Sequence, residues 1–172
     1  LGMFDAVSAR TILENSLANT SYIDGTDIRF SAIWYDNSSS RQFDPSIEFK
    51  YYEPDYSDYA GFTKFTDGYT RVYLEDGYLK NGSSGRDEVS IMGIHTKEFG
   101  TITDVDDSLL NTPYRQLLND LALAPKGVLL SLNFRDSMGM AVGDRITFYD
   151  KNSVSADATI IGFFEYWPGY EP

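Results

Sequence analysis

Residues 127–169 read GVLLSLNFRDSMGMAVGDRITFYDKNSVSADATIIGFFEYWPG, and their order fixes how the rest of the chain is interpreted. The apolar run 128–132 suits a strand, and 133–138 follows as one short helix stopped by Gly139. Met140-Ala141-Val142-Gly143-Asp144 then turns the chain into a second strand at 145–149. A polar hairpin leads to a third strand at 158–164, and the block closes on Trp167-Pro168-Gly169. Within the turn, Gly143 is expected to relieve a Cβ clash, and Asp144 to bond the backbone at the start of the following strand. The glycines form neither GxGxxG nor GxxxxGK[ST], so this turn is not a nucleotide loop.

Upstream, 112–125 gives the clearest helix. Pro113 suits a first helical position, Thr112 can cap it, and Tyr114, Leu117, Leu118 and Leu121 fall at i, i+3, i+4 and i+7. Residues 89–94 read as a buried strand, and 81–85 (NGSSG) as a hinge or hairpin tip. Strands are expected at 70–74, 46–52 and 28–34, with Asp76-Gly77 as a turn and 36–41, three serines included, as an exposed loop. Ala9, Ile12, Leu13 and Leu17 mark an amphipathic helix over 3–20.

The chain has 172 residues, long enough to bury a core without staples, and its hydrophobic content of 42% argues against disorder. Cysteine is absent, which removes disulfides, thiol catalysis and cysteine-based metal centres. The balance of 14 basic and 26 acidic residues leaves a net charge of −12 with the cations scattered, so nucleic acid is not an expected partner. No run of roughly 18 apolar residues is present to cross a bilayer.

His95 is the single histidine, which excludes a multi-histidine metal site; its position at a strand end points to a structural role. Asp104, Asp106 and Asp107 invite a calcium reading, but an EF-hand counted from Asp104 would need Gly and Glu where Leu109 and Arg115 stand. The acids instead suit the positive end of the helix that follows. Glu48 with Glu53, or Glu75 with Asp76, could pair as acid and base only if a cleft held them at the right separation. The reading assigns no catalytic, cofactor or metal site. Recognition falls to the aromatic run: Tyr51, Tyr69 and Tyr73 are expected to pack, whereas Tyr56, Tyr59 and Phe62, in an aperiodic segment, are the candidate partner-binding residues.

The block at 127–169, with its strand, small helix, Gly stop, VGD and strand, resembles the extracytoplasmic core domain of FtsX-like and MacB-like ABC transporter permeases. Leu1-Gly2-Met3-Phe4-Asp5-Ala6, Ala9-Arg10-Thr11-Ile12, Asn15 and 22–28 (YIDGTDI) are similar to the segment that leaves a membrane helix in the same permeases. The resemblance implies an α+β, MacB periplasmic-core-like fold. Its first subdomain (1–88) would be a mixed sheet packed on an N-terminal stalk helix, and its second (89–172) a smaller α/β unit carrying the VGD strands. It also implies a non-catalytic domain at the extracytoplasmic face of the cell membrane, linked through its membrane part to a separate ABC ATPase subunit. The full-length permease would be dimeric and would engage an extracellular protein, peptide or lipid substrate. In the family the chain returns through the first sheet to the next membrane helix. This sequence stops at Pro172, which leaves completion of that sheet open. The alternative is a secreted, Tyr-rich module that binds glycan or protein.

Overall fold

The computed structural model describes residues 32, 34–81 and 85–169, and these form two compact units divided between residues 68 and 69. The expected helix at 3–20 and nearly all of the strand at 28–34 lie outside the described residues.

In the first unit, β1 (Tyr35–Asp36) pairs antiparallel with β2 (Tyr51–Tyr52), in the register Tyr35↔Tyr52 and Asp36↔Tyr51. Between them the serines form α1 (Ser38–Phe43) rather than the loop expected at 36–41. The Asp36 carboxylate accepts the Ser38 N–H at 2.9 Å, which satisfies one of the donors a helix start leaves open. Asn37 is buried and ties the unit together. Its amide donates to the Glu48 carbonyl at 2.8 Å and its side-chain oxygen accepts the Lys50 N–H at 2.8 Å. Only the last two residues of the strand expected at 46–52 enter a ladder, because Asp44 folds the segment before them into a turn. Its carboxylate accepts both the N–H (2.9 Å) and the hydroxyl (2.6 Å) of Ser46. Those bonds, the hydroxyl first, hold the Asp44 carboxyl below the usual carboxylate range.

The second unit is mixed α and β. A long hairpin of β3 (Val72–Asn81) and β4 (Gly85–Ile94) leads into α2 (Thr96–Ile102), a 3₁₀ turn (Asp107–Leu109) and α3 (Tyr114–Leu123). Then come β5 (Gly127–Ser131), α4 (Leu132–Met138), β6 (Arg145–Asp150) and β7 (Ser155–Phe164). The sheet runs β4-β3-β6-β7-β5; neighbours are antiparallel except β5 and β7, which are parallel with a bulge between Val128 and Leu129. No helix among the described residues is long and apolar enough to cross a membrane.

Two expectations about the hairpin change. The division placed between residues 88 and 89 falls inside β4, whose ladder with β3 runs without a break from Val72↔Ile94 to Asn81↔Gly85. Asp76-Gly77 is not a turn but the middle of β3, where Gly77 lies between both neighbouring strands. A Cβ there would stand 2.3 Å from the Tyr149 carbonyl oxygen and 2.6 Å from Ile91 Cδ1. The glycine therefore serves close approach of β6, not chain reversal. At the ends of NGSSG, Asn81 pairs with Gly85, while 82–84 lie outside the described residues.

The core gathers where the helices meet the ends of β4 and β7. Phe99, Val105, Tyr114, Leu117, Leu118 and Trp167 are buried together, with Met92, Ile94, Leu129 and Phe164 packed around them. The apolar stripe read from α3 faces this cluster: Tyr114, Leu117 and Leu118 are buried in it and Leu121 packs at its margin. Tyr114 Oη lies 2.5 Å from Thr103 Oγ1, which donates to the Phe99 carbonyl at 2.7 Å, so the phenol supplies the proton of the first bond. Burial pushes the Tyr114 phenol up to about 12, against a smaller opposing pull from the Thr103 bond.

Gly77→Ala is expected to destabilise the chain by about 1–3 kcal/mol in denaturant unfolding, the range for forcing extra atoms into a closed site. Tyr114 gives a pH dependence. The unfolded phenol releases its proton near its ordinary 10.0 and the folded one near 12, so the unfolded state binds fewer protons in that window. Stability is fully present below the lower value and falls as pH rises through the window. Tyr114→Phe is expected to flatten that decline in thermal melts.

Candidate functional site

The alternation of the hairpin places Leu79, Val89 and Ile91 on one face of the sheet, and the pairing of Leu79 with Phe148 extends that face across β6. These side chains, with Ile146, Leu130 of β5 and Phe134 of α4, line an open groove of about 1250 Å³. Apart from Leu79, which is buried, the six named walls are half-exposed. A concave apolar surface with a few polar groups at its margin is the usual form of a binding site. Sequence reasoning did not find it. The alternating apolar positions of 89–94 signalled a strand, but only the register shows that they share a face with β6.

Lys151 supplies a charge at the groove and is held there from behind. Its ammonium lies 2.7 Å from Glu75 Oε1, and the Tyr73 hydroxyl donates to Glu75 Oε2 at 2.5 Å. The Glu75 side chain is only 7% exposed, so the carboxylate is oriented by two partners while the lysine reaches outward. Asp76, the next residue of the strand, points to the opposite face, so the pair considered for acid–base chemistry does not share a cleft. Glu48, of the other pair, lies 3.8 Å from Lys50 with both side chains largely exposed.

The three candidate partner-binding residues lie in the first unit. Tyr56 opens a 3₁₀ turn (Tyr56–Tyr59) that Asp55 caps by accepting the Ser57 N–H at 2.9 Å; the Tyr56 side chain lies outside the described residues. Tyr59 is half-buried, and its carbonyl accepts the Phe62 N–H at 2.9 Å. Phe62 is 56% exposed and Phe65, beyond it, 89%. The turn therefore presents an apolar surface near its end, carried by Phe62 and Phe65 more than by Tyr59. Of the tyrosines expected to pack, Tyr51 sits edge-on against Phe49 at 5.0 Å and Tyr73 is half-buried, but Tyr69 is 62% exposed. Tyr69 precedes β3 and so stands outside the ladder, whereas Tyr73 pairs with Gly93 within it and bonds the Glu75 carboxylate.

The other singled-out residues have local structural work. His95 is exposed between β4 and α2, and its carbonyl accepts the Phe99 N–H at 2.9 Å. Asp106 accepts the Ser108 N–H at 2.9 Å, and Asp107 accepts the Tyr114 N–H at 2.7 Å. Asp107 thus caps α3 from a distance, in the role expected of Thr112, whose side chain makes no capping bond.

The VGD turn is close to its reading but differs in cause. Gly143 adopts φ +97°, and a Cβ there would meet nothing within 4 Å, so the need is conformational and not steric crowding. Asp144 bonds backward: its carboxylate accepts the Ala141 N–H at 2.8 Å. The main chain then fastens the turn to β7, Gly143 N–H to the Ile160 carbonyl at 2.8 Å and Ile160 N–H to the Asp144 carbonyl at 2.9 Å.

No protein-family model matches this chain, and comparison with curated proteins finds no relative.

Gly143→Ala is expected to lower stability by about 1–2 kcal/mol, because only backbone strain is introduced. Equal melting temperatures for the two proteins would contradict that assignment.

Proposed function

We propose that this chain is the extracytoplasmic domain of an ABC transporter permease of the FtsX-like and MacB-like kind, with a MacB periplasmic-core-like fold. The observation that carries the reading is the block 127–169. Its strand, short helix, left-handed Gly139, VGD turn and two further strands occur in the order that gave the resemblance. The turn is also built into the sheet by two backbone bonds rather than hanging from it.

On this reading the domain is not an enzyme. A separate ATPase subunit hydrolyses ATP on the cytoplasmic side, and the membrane helices of a dimeric permease transmit the motion. The stalk at 9–17 re-aims the sheet by rigid-body rotation. The groove of the second unit, with the anchored Lys151 at its margin, then offers a surface for an extracellular protein, peptide or lipid substrate.

A second reading, a secreted Tyr-rich module for glycan or protein, is favoured by one feature. In the first unit Tyr35, Tyr52, Phe62 and Phe65 are all exposed aromatic surface. The gene separates the two. Membrane spans encoded on either side of this segment, beside an ATPase gene, favour the permease; a secretion signal without further spans favours the module.

The absence of cysteine permits a direct test, since Lys97→Cys on the exposed surface of α2 adds one thiol to this chain. In the full-length protein, a membrane-impermeant maleimide is expected to label this residue on intact cells, and the purified complex to hydrolyse ATP. A two-glycine insertion after Met3 should preserve that hydrolysis while abolishing transport. Labelling only after lysis, or transport unaffected by the insertion, would overturn the proposal.

A further inference from the structure

A second concavity lies where the ladder between β3 and β6 stops. The pairing runs Gly77↔Asp150, Tyr78↔Tyr149 and Leu79↔Phe148 and goes no further. Beyond it β3 stays with β4, Lys80 opposite Arg86, while β6 stays with β7, Arg145 opposite Thr159. The strands part around a notch of about 470 Å³, lined among the described residues by Lys80, Met140, Arg145, Thr147 and Tyr149, with Leu79 and Ile146 beside them.

Two properties of this notch bear on what it could hold. First, both charged side chains lining it are cations, in a chain with a net charge of −12. Lys80 and Arg145 are exposed, and neither makes an ion pair or a side-chain hydrogen bond among the described residues. Glu88, opposite Tyr78, and Asp157, which already accepts the Thr147 hydroxyl at 2.7 Å, share this face without lining the notch, and the carboxylate of Asp144, next to Arg145 in the chain, is held by the Ala141 N–H at 2.8 Å. Second, one wall is a fixed aromatic ring. Tyr149 stacks on Tyr78 with centroids 4.8 Å apart and planes 4° from parallel, and the Arg86 guanidinium lies 4.6 Å from the Tyr78 centroid. Arg86 and Tyr149 stand on the strands to either side of Tyr78, so the row is braced from both directions.

We propose that this notch binds an anionic saccharide, with the carboxylate or sulfate between Lys80 and Arg145 and the sugar ring against Tyr149. Arginine and lysine supply charge-assisted donors to the anion. A pyranose contributes a flat C–H face for the tyrosine and hydroxyls for polar groups at the rim, whereas an acidic peptide carries its carboxylates on flexible chains without such a face. The site stands apart from the transporter reading and does not depend on it.

Titration of the chain with trigalacturonate, maltotriose and triglutamate tests the assignment. Saturable binding of trigalacturonate is expected, weakening as salt is raised. Lys80→Gln with Arg145→Gln should reduce it about tenfold or more, the scale of losing charged hydrogen bonds. Both side chains are exposed, and an unchanged melting temperature verifies that the double variant folds. Tyr149→Leu should weaken trigalacturonate while leaving the salt dependence in place. Absence of trigalacturonate binding, binding unchanged in the double variant, maltotriose bound as tightly, or triglutamate bound as tightly would each overturn the proposal.

Discussion

The second unit depends on the burial of Trp167. Its ring stacks near-parallel on Phe99 of α2 at 6.0 Å, meets Tyr114 of α3 edge-on at 5.5 Å, and contacts Phe164 at the end of β7 at 5.5 Å. One side chain near the end of the described chain therefore joins two helices and the sheet. Removing a buried aromatic of this size typically costs about 3–5 kcal/mol, a large fraction of the stability of a domain. The Thr103–Tyr114 hydroxyl pair and the Asp107 cap work within the same cluster, satisfying polar groups that burial would otherwise leave without partners.

Away from that end of the sheet, β3 shapes the concave surfaces. Gly77 lets β6 approach closely, and the same register sets Leu79 against Phe148 on the groove face and Tyr78 against Tyr149 on the other. Where the register ends, the notch opens. Two concavities of opposite character, one mainly apolar and one cationic, thus follow from a single short ladder. The first unit uses a different device: Asn37, buried between short strands, substitutes for backbone pairing that so small a sheet cannot supply.

What was legible in the sequence was local. The strand, short helix and Gly stop of 127–139, the following two strands, and the apolar stripe of 114–121 all rest on periodicity or on a residue with one dominant conformational use. The readings that changed are those in which one residue type serves two purposes. Asp-Gly marks a hairpin turn or a close approach, and three serines mark a loop or the start of a helix once an acid caps them. Tyrosine is equally at home packed or exposed, so Tyr69 and Tyr73, alike in sequence, differ in exposure.

The sequence alone determined that the chain folds around an apolar core, carries no thiol chemistry, and bears a charge that discourages nucleic acid. Only the tertiary structure decided which side chains meet: Lys151 with Glu75 from residues far apart in the chain, Tyr149 with Tyr78, Trp167 with Phe99. The reason is physical. Local pattern fixes which face of an element is apolar, but register, the order of strands and the point where a ladder ends are settled by packing between distant segments. The concave surfaces belong to those choices.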